Sequence, residues 1–123
     1  MSHPTPHILF VDDEQVIIDL VKEYLELHDY RITGVKTPHA ALQVIRDDPP
    51  DLIIADLQLP DSDGLKLVAK FKKILPDVPV ILLTGVWFDA ETVDETLSGH
   101  ISAYVSKTAP LHQLAAEVKR LLV

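Results

Sequence analysis

The chain has no cysteine among its 123 residues, which removes disulfides, thiolate metal sites and cysteine nucleophiles together. No apolar run approaches the ~20 residues that span a bilayer. Met1 to Pro6 has no basic patch leading into an apolar segment, so no secretory signal is expected. Positive charge is scarce too: 11 Lys and Arg stand against 19 Asp and Glu, a net charge of −8. That balance argues against non-specific binding to nucleic acid or an anionic membrane. There is no internal repeat, low-complexity tract or linker to mark a second domain. What is present, 47% apolar and 24% charged residues, is ordinary globular composition and too apolar for disorder. The expectation is a single acidic, soluble, cytoplasmic domain over residues 1–123, with residues 1–6 a flexible tail. A domain of this size buries about two-thirds of its unfolded surface.

Apolar residues follow two alternating periods. Ile8 to Val11, Leu52 to Ala55 and Val78 to Leu83 are short, continuous and rich in β-branched residues, as strands buried on both faces require. Tyr30 to Val35 and Ile101 to Ser106 are weaker strand candidates. Pro79 lies near the start of its run, where a missing N–H is tolerated. Between these runs the period is helical. Val16, Ile17, Leu20, Val21, Tyr24 and Leu25 form one stripe. Thr37-Pro38 reads as N-cap and first helical residue of a helix carrying Ala41, Leu42, Val44 and Ile45. Leu67, Val68, Phe71, Ile74 and Leu75 form a third stripe, stopped by Pro76. Leu111, Leu114, Ala115, Val118, Leu121 and Leu122 form the last, with Pro110 near its start. Asp89 to Ser98 offers only Val93 and Leu97 as strong anchors and reads as a loosely held helix, the fourth of five. Strand and helix repeated five times imply an α/β fold with a parallel sheet covered on both faces. The expected arrangement is the flavodoxin-like doubly wound order 2-1-3-4-5.

Such folds bind ligands outside the carboxyl ends of the strands, where the strand order reverses. The first strand runs into Asp12-Asp13-Glu14, the third ends at Asp56, the fourth at Thr84-Gly85 and the fifth at Ser106-Lys107. Any one of these residues is equally well a solvated turn residue or helix cap, and Glu14 reads as first-turn helix electrostatics. Convergence from four strand ends is harder to dismiss. Two carboxylates about 4 Å apart repel by roughly 4 kcal/mol at an effective dielectric near 20, and Lys107 supplies only one positive charge. Oxygen donors without His or Cys suit a hard divalent ion, with Mg²⁺ completed by waters and a phosphate as the usual arrangement. Asp56 is then a candidate nucleophile of the aspartyl-phosphate kind. Lys107 and the Thr84 hydroxyl would serve the phosphoryl oxygens. His3, His7, His28, His39, His100 and His112 show no ligand spacing and are expected at the surface or at helix ends. Lys70, Lys72 and Lys73 read as a solvated helix face.

With these residues in place, the chain resembles a response-regulator receiver domain of two-component signal transduction over its whole length. The likeness rests on Phe10-Val11-Asp12-Asp13-Glu14, on Asp56-Leu57-Gln58-Leu59-Pro60 followed by Gly64, on Thr84-Gly85, and on Lys107. It implies that Asp56 accepts phosphate from a histidine kinase or a phosphotransfer protein. It also implies Mg²⁺ bound directly by Asp13 and Asp56, with the Gln58 backbone carbonyl as third ligand and Asp12 acting through water. Tyr104, three residues before Lys107, matches an aromatic switch position. The added phosphoryl charge would draw Thr84 in, Tyr104 would turn into the vacated space, and the face of the fourth helix, fifth strand and last helix would change. A half-buried strand aromatic is the plainer reading of Tyr104. The resemblance implies a phosphoacceptor that promotes its own phosphorylation and dephosphorylation, not an enzyme with a separate substrate. Its partners would include an output domain or partner protein and, in one variant, a phosphorylation-dependent homodimer; neither nucleic acid nor membrane is contacted directly.

Three features depart from the family pattern. Lys107 is followed by Thr108 where a proline is usual, and a cis bond there would cost ~2.5–4 kcal/mol, so either a trans bond or a strained cis one is expected. Val86, two residues past Thr84, cannot orient a hydrolytic water and Gln58 does so only weakly, which predicts a long-lived phosphoryl group. Trp87-Phe88 either pack under the fourth helix or form a partner patch. Two other functions compete with the phosphoacceptor. One is a phosphorylation-independent scaffold, against which the intact set Asp13, Asp56, Thr84 and Lys107 speaks. The other is a Mg²⁺-dependent phosphohydrolase, which usually carries Asp-x-Asp after its first strand and a cap domain over its substrate.

Overall fold

Runs of apolar residues long enough for four or five strand positions alternate with amphipathic helices along the chain. The computed structural model describes residues 5–56, 58–59, 62–85 and 101–122, with the backbone alone at 58–59, 62–65 and 84. In chain order the elements are β1 (His7–Val11), α1 (Gln15–Glu26), β2 (Arg31–Val35), α2 (Pro38–Asp47) and β3 (Leu52–Ala55). A short ribbon of β4 (Gln58–Leu59) and β5 (Ser62–Asp63) follows, then α3 (Gly64–Ile74), β6 (Val80–Thr84), β7 (Ala103–Ser106) and α4 (Leu111–Leu121). The main sheet is parallel throughout and ordered β2-β1-β3-β6-β7. Counting main-sheet strands alone, this is the flavodoxin-like order 2-1-3-4-5. Among the described residues, no helix is long and apolar enough to cross a membrane.

The inner strands β1, β3 and β6 are buried on both faces, which is why they read as continuous apolar runs. Leu9, Val11, Ile53, Ala55 and Leu82 pack with Ala41 and Ile45 of α2 and with Val68 and Phe71 of α3. Ile8, Phe10, Ile54, Ile81 and Leu83 pack with Ile18, Val21 and Leu25 of α1 and with Leu114 and Val118 of α4. Each fully buried side chain of this size contributes about 1.5–3 kcal/mol. Local signals set the boundaries. The Thr37 hydroxyl accepts from the Ala40 N–H at 3.1 Å ahead of Pro38. Pro79 sits just before β6, where its carbonyl accepts from Ile53 N at 3.0 Å and its lack of an N–H costs nothing.

Several expectations change here. Within the apolar stripe of α1, Val16 and Leu20 are 77% and 49% exposed, while Ile18, Val21 and Leu25 face the sheet. At 3.6 residues per turn, positions two either side of Ile18 fall almost opposite it. His7 is buried, not at the surface, because β1 begins one residue ahead of its apolar run. Its Nε2 lies 2.7 Å from Thr33 Oγ1 on β2, and its Nδ1 lies 3.5 Å from the Pro49 carbonyl. The β4–β5 ribbon is an addition to the expected elements. The chain contains no cis peptide among the described residues, so Lys107–Thr108 is trans. The expected helix at 89–98, together with Val86, Trp87 and Phe88, lies outside the described residues, as does the tail from 1 to 4.

Two backbone positions generate tests. A Cβ at Gly34 in β2 would collide with Cγ2 of Ile18 on α1, a β-branched methyl with little freedom to move. Gly34→Ala should cost about 1–3 kcal/mol in urea unfolding, and much less in an Ile18→Ala background; additive losses would contradict a single point of close approach. At the end of α1, Tyr30 N donates to the Leu25 carbonyl at 3.3 Å across Asp29, whose φ is 68°. Asp29→Gly should raise the thermal midpoint, because relief of a left-handed non-glycine residue, ~1–2 kcal/mol, exceeds the entropy glycine adds to the unfolded chain. A lower midpoint would show that the Asp29 side chain matters more than its backbone.

Candidate functional site

β1 and β3 end level with each other: Val11 pairs with Val35 on one side and Ala55 on the other. The next residues therefore emerge side by side. Asp12 N donates to the Val35 carbonyl at 3.0 Å, and Asp56 N to the Val11 carbonyl at 3.1 Å. This is the switch point of the sheet, since the chain leaves β1 toward β2 in one direction and β3 in the other. Asp12 Oδ1 then accepts from the Glu14 N–H at 2.8 Å, a side-chain turn that launches α1. Glu14 occupies the N-cap in an extended conformation, yet its own side chain makes no capping bond. Asp13, half-buried, lies between. One carboxylate oxygen from each of Asp12, Asp13 and Asp56 lies within 4.8 Å of the others.

Lys107 reaches this group from the end of β7. Its backbone is held in a turn in which Ala109 N donates to the Ser106 carbonyl at 3.0 Å and Thr108 N to Ser106 Oγ at 3.1 Å. From there Nζ approaches Asp56 Oδ2 at 2.8 Å, Asp12 Oδ2 at 2.9 Å and Glu14 Oε1 at 3.2 Å. The Asp12 contact is one of charge: among the described residues its buried Oδ2 has no aligned hydrogen-bond donor, despite the ammonium beside it. Burial pushes the Asp12 carboxyl up, and the Glu14 N–H and Lys107 pull it down only in part, so it ends above the usual carboxylate range. For Lys107, burial acts downward, but the contacts with Asp56, Asp12 and Glu14 outweigh it and hold the ammonium firmly protonated.

Negative charge remains in excess. Asp12, Asp13, Asp56 and Glu14 face one ammonium, and desolvated like charges at these separations repel by kilocalories. An all-oxygen donor set with one under-satisfied buried oxygen suits a hard divalent cation.

The structure thus brings together four of the residues singled out from the sequence: Asp12, Asp13, Asp56 and Lys107. The backbone of Thr84 ends β6 at the same edge, level with Ser106 of β7. Gln58 begins β4, two residues past Asp56, paired with Asp63. Tyr104 is a half-buried β7 residue paired with Leu82 and packed against the layer of α2 and α3. Glu14 is the residue that sequence reading undervalued. Its place beside two aspartates was visible, but its contact with a lysine 93 positions away depends on the sheet order.

The response regulator receiver domain profile matches residues 8–119. The chain is 34% identical over 120 residues to the transcriptional regulatory protein BaeR of Escherichia coli O6:H1, covering 96% of this chain and 48% of that protein. It is 29% identical over 116 residues to the response regulator SaeR of Staphylococcus aureus, covering 94% of this chain and 50% of SaeR. The chain therefore spans about half the length of these relatives. Among solved structures it is similar to a CheY-like response regulator receiver domain protein from Methanospirillum hungatei JF-1, with TM-score 0.88, 29% identity and coverage of 97% of this chain and 94% of that one. The non-phosphorylated HemR receiver domain of Leptospira biflexa gives TM-score 0.85 at 29% identity, over 96% and 94% of the two chains. Topology, profile and relatives agree over nearly the whole length, and the chain belongs to the response regulator receiver domains of two-component signal transduction.

Proposed function

We propose that Asp56 is the phosphoacceptor of this domain, charged by the phosphohistidine of a histidine kinase or phosphotransfer protein in a Mg²⁺-dependent transfer. The observation that carries this reading is the position of the Asp56 carboxylate: 2% exposed, at the switch point, 2.8 Å from Lys107 Nζ and clustered with Asp12 and Asp13. In the transfer, an Asp56 oxygen attacks phosphorus, the phosphorus–nitrogen bond breaks, and the imidazole leaves with that electron pair. Asp13 and Asp56 would hold Mg²⁺, with the Gln58 carbonyl beside them and Asp12 acting through water; the buried, under-satisfied Asp12 Oδ2 supports the fit. When bound, the ion neutralises charge on the phosphoryl oxygens. Lys107 supplies a preorganised cation whose cost of ordering is met in the fold.

The output follows from the change of charge: phosphorylated Asp56 carries about −1.5 to −2 in place of −1, a net gain of about −0.5 to −1. The Thr84 hydroxyl, at the end of β6, moves to a phosphoryl oxygen. Tyr104, on the neighbouring β7, turns inward, and the face built around β7 and α4 is read by an output domain, a partner protein or a second copy. Val86 gives no polar group for hydrolysis, in keeping with a long-lived phosphoryl group. The exposed Val16 and Leu20 on α1 offer apolar surface to a donor protein.

Two measurements test this. Incubation with acetyl phosphate and Mg²⁺ should add a single labile phosphate by intact mass, absent with EDTA and absent from Asp56→Asn. Phosphate retained on Asp56→Asn, or none on the parent, overturns the assignment, and catalytic turnover of phosphomonoesters would favour the hydrolase instead. Separately, Asp13→Asn should raise the unfolding midpoint in EDTA by relieving like-charge repulsion, and should erase the rise that Mg²⁺ produces in the parent through binding to the native state. An undiminished Mg²⁺ response in that variant would remove Asp13 from the ligand set.

A further inference from the structure

An ammonium has three N–H donors, and in this structure the Lys107 ammonium faces three carboxylates: Asp56 at 2.8 Å, Asp12 at 2.9 Å and Glu14 at 3.2 Å. Two of its donors are hydrogen-bonded, to Asp56 and Glu14, and the third lies beside Asp12 without alignment, so a phosphoryl oxygen arriving at Asp56 competes with all three carboxylates for the ammonium. The three are not equivalent. The Asp12 side chain has no exposed surface and its Oδ2 has no aligned donor among the described residues, so withdrawing the ammonium would leave a bare buried charge. Asp56 is the group being esterified and stays beside Lys107 throughout. Glu14, by contrast, has a side chain 57% exposed; released, it passes into water, and an exposed ion pair is weak. Nothing at the helix start retains it, because it sits at the N-cap of α1 without making a capping bond.

We propose that Glu14 is a placeholder on Lys107: its carboxylate occupies the donor that a phosphoryl oxygen takes over, so Glu14 sets the rate at which Asp56 is phosphorylated. It acts through Lys107 and is a positioning residue, not a ligand of the phosphoryl group. The inference rests on Asp56 being the phosphoacceptor. With acetyl phosphate the step balances simply. An Asp56 oxygen bonds to phosphorus, the phosphorus–oxygen bond to acetate breaks, acetate departs with its electron pair, and no proton moves. Lys107 turns one N–H from Glu14 to the transferring group as this happens.

The test compares phosphorylation rates of the parent, Glu14→Gln and Glu14→Asp with acetyl phosphate and Mg²⁺, followed by intact mass, with Asp56→Asn as the blank. Glu14→Gln removes the charge that competes for Lys107 and should be faster by about two- to five-fold, the range an exposed ion pair commands. Glu14→Asp keeps the charge but is one methylene too short to hold the 3.2 Å contact, and it should be accelerated as well. Rates equal to the parent in both variants overturn the proposal. A faster Glu14→Gln beside a parent-like Glu14→Asp also overturns it, since the effect would then be simple repulsion of an anionic donor. A parent that takes no phosphate would instead sink the assignment of Asp56, so the two failures are distinguishable.

Discussion

Crowding of acid at the ends of β1 and β3 is the constraint from which the rest of the site follows. The parallel register sets Val11 level with Ala55, so Asp12 and Asp56 cannot avoid each other. Both are almost completely removed from water, where like charges interact strongly and hydration cannot dilute them. Lys107 relieves part of this from the far end of the fold, which is why the turn behind Ser106 and Thr108 matters as much as the lysine itself. The relief is incomplete, and the residual negative charge suits the edge to a hard divalent cation.

Such a cluster survives only on a rigid platform. Strands covered on both faces supply it: the alternate residues of β1, β3 and β6 enter two separate apolar layers. A one-residue slip of β1 or β3 would exchange its two sets of side chains and move the aspartate that follows it out of line. Core packing and site geometry are therefore one specification. The close approach of α1 to β2 at Gly34 extends that specification to the helix that begins inside the site.

The platform was largely legible from the sequence. Continuous apolar runs marked β1, β3 and β6, weaker signals marked β2 and β7, and Thr37-Pro38 placed the start of α2 to the residue, because these signals are local. The buried face of α1 was not, since Val16, Ile17 and Ile18 are consecutive apolar residues and either of two stripes satisfies a helical period. His7 looked like an exposed residue ahead of a strand, and its enclosure depends on Thr33 and Pro49, which only tertiary packing brings near. In the site, Asp12, Asp13, Asp56 and Lys107 were readable once the strand order was assumed, because they sit at strand ends. The role of Glu14 was not, as it turns on the Lys107 side chain reaching from the end of β7 past β6 and β3 to the start of α1, and no spacing encodes that. The trans bond at Lys107–Thr108 follows ordinary peptide energetics.

Asp12 does two jobs with its two oxygens. Oδ1 receives the Glu14 N–H and so shapes the first turn of α1, while Oδ2 points into the acid cluster. The acid cluster and the seating of α1 are thus joined through a single planar group, and a pull on one oxygen tilts the other. A cation at the acidic edge would bear on the start of a twelve-residue helix, on the side of the sheet away from Tyr104.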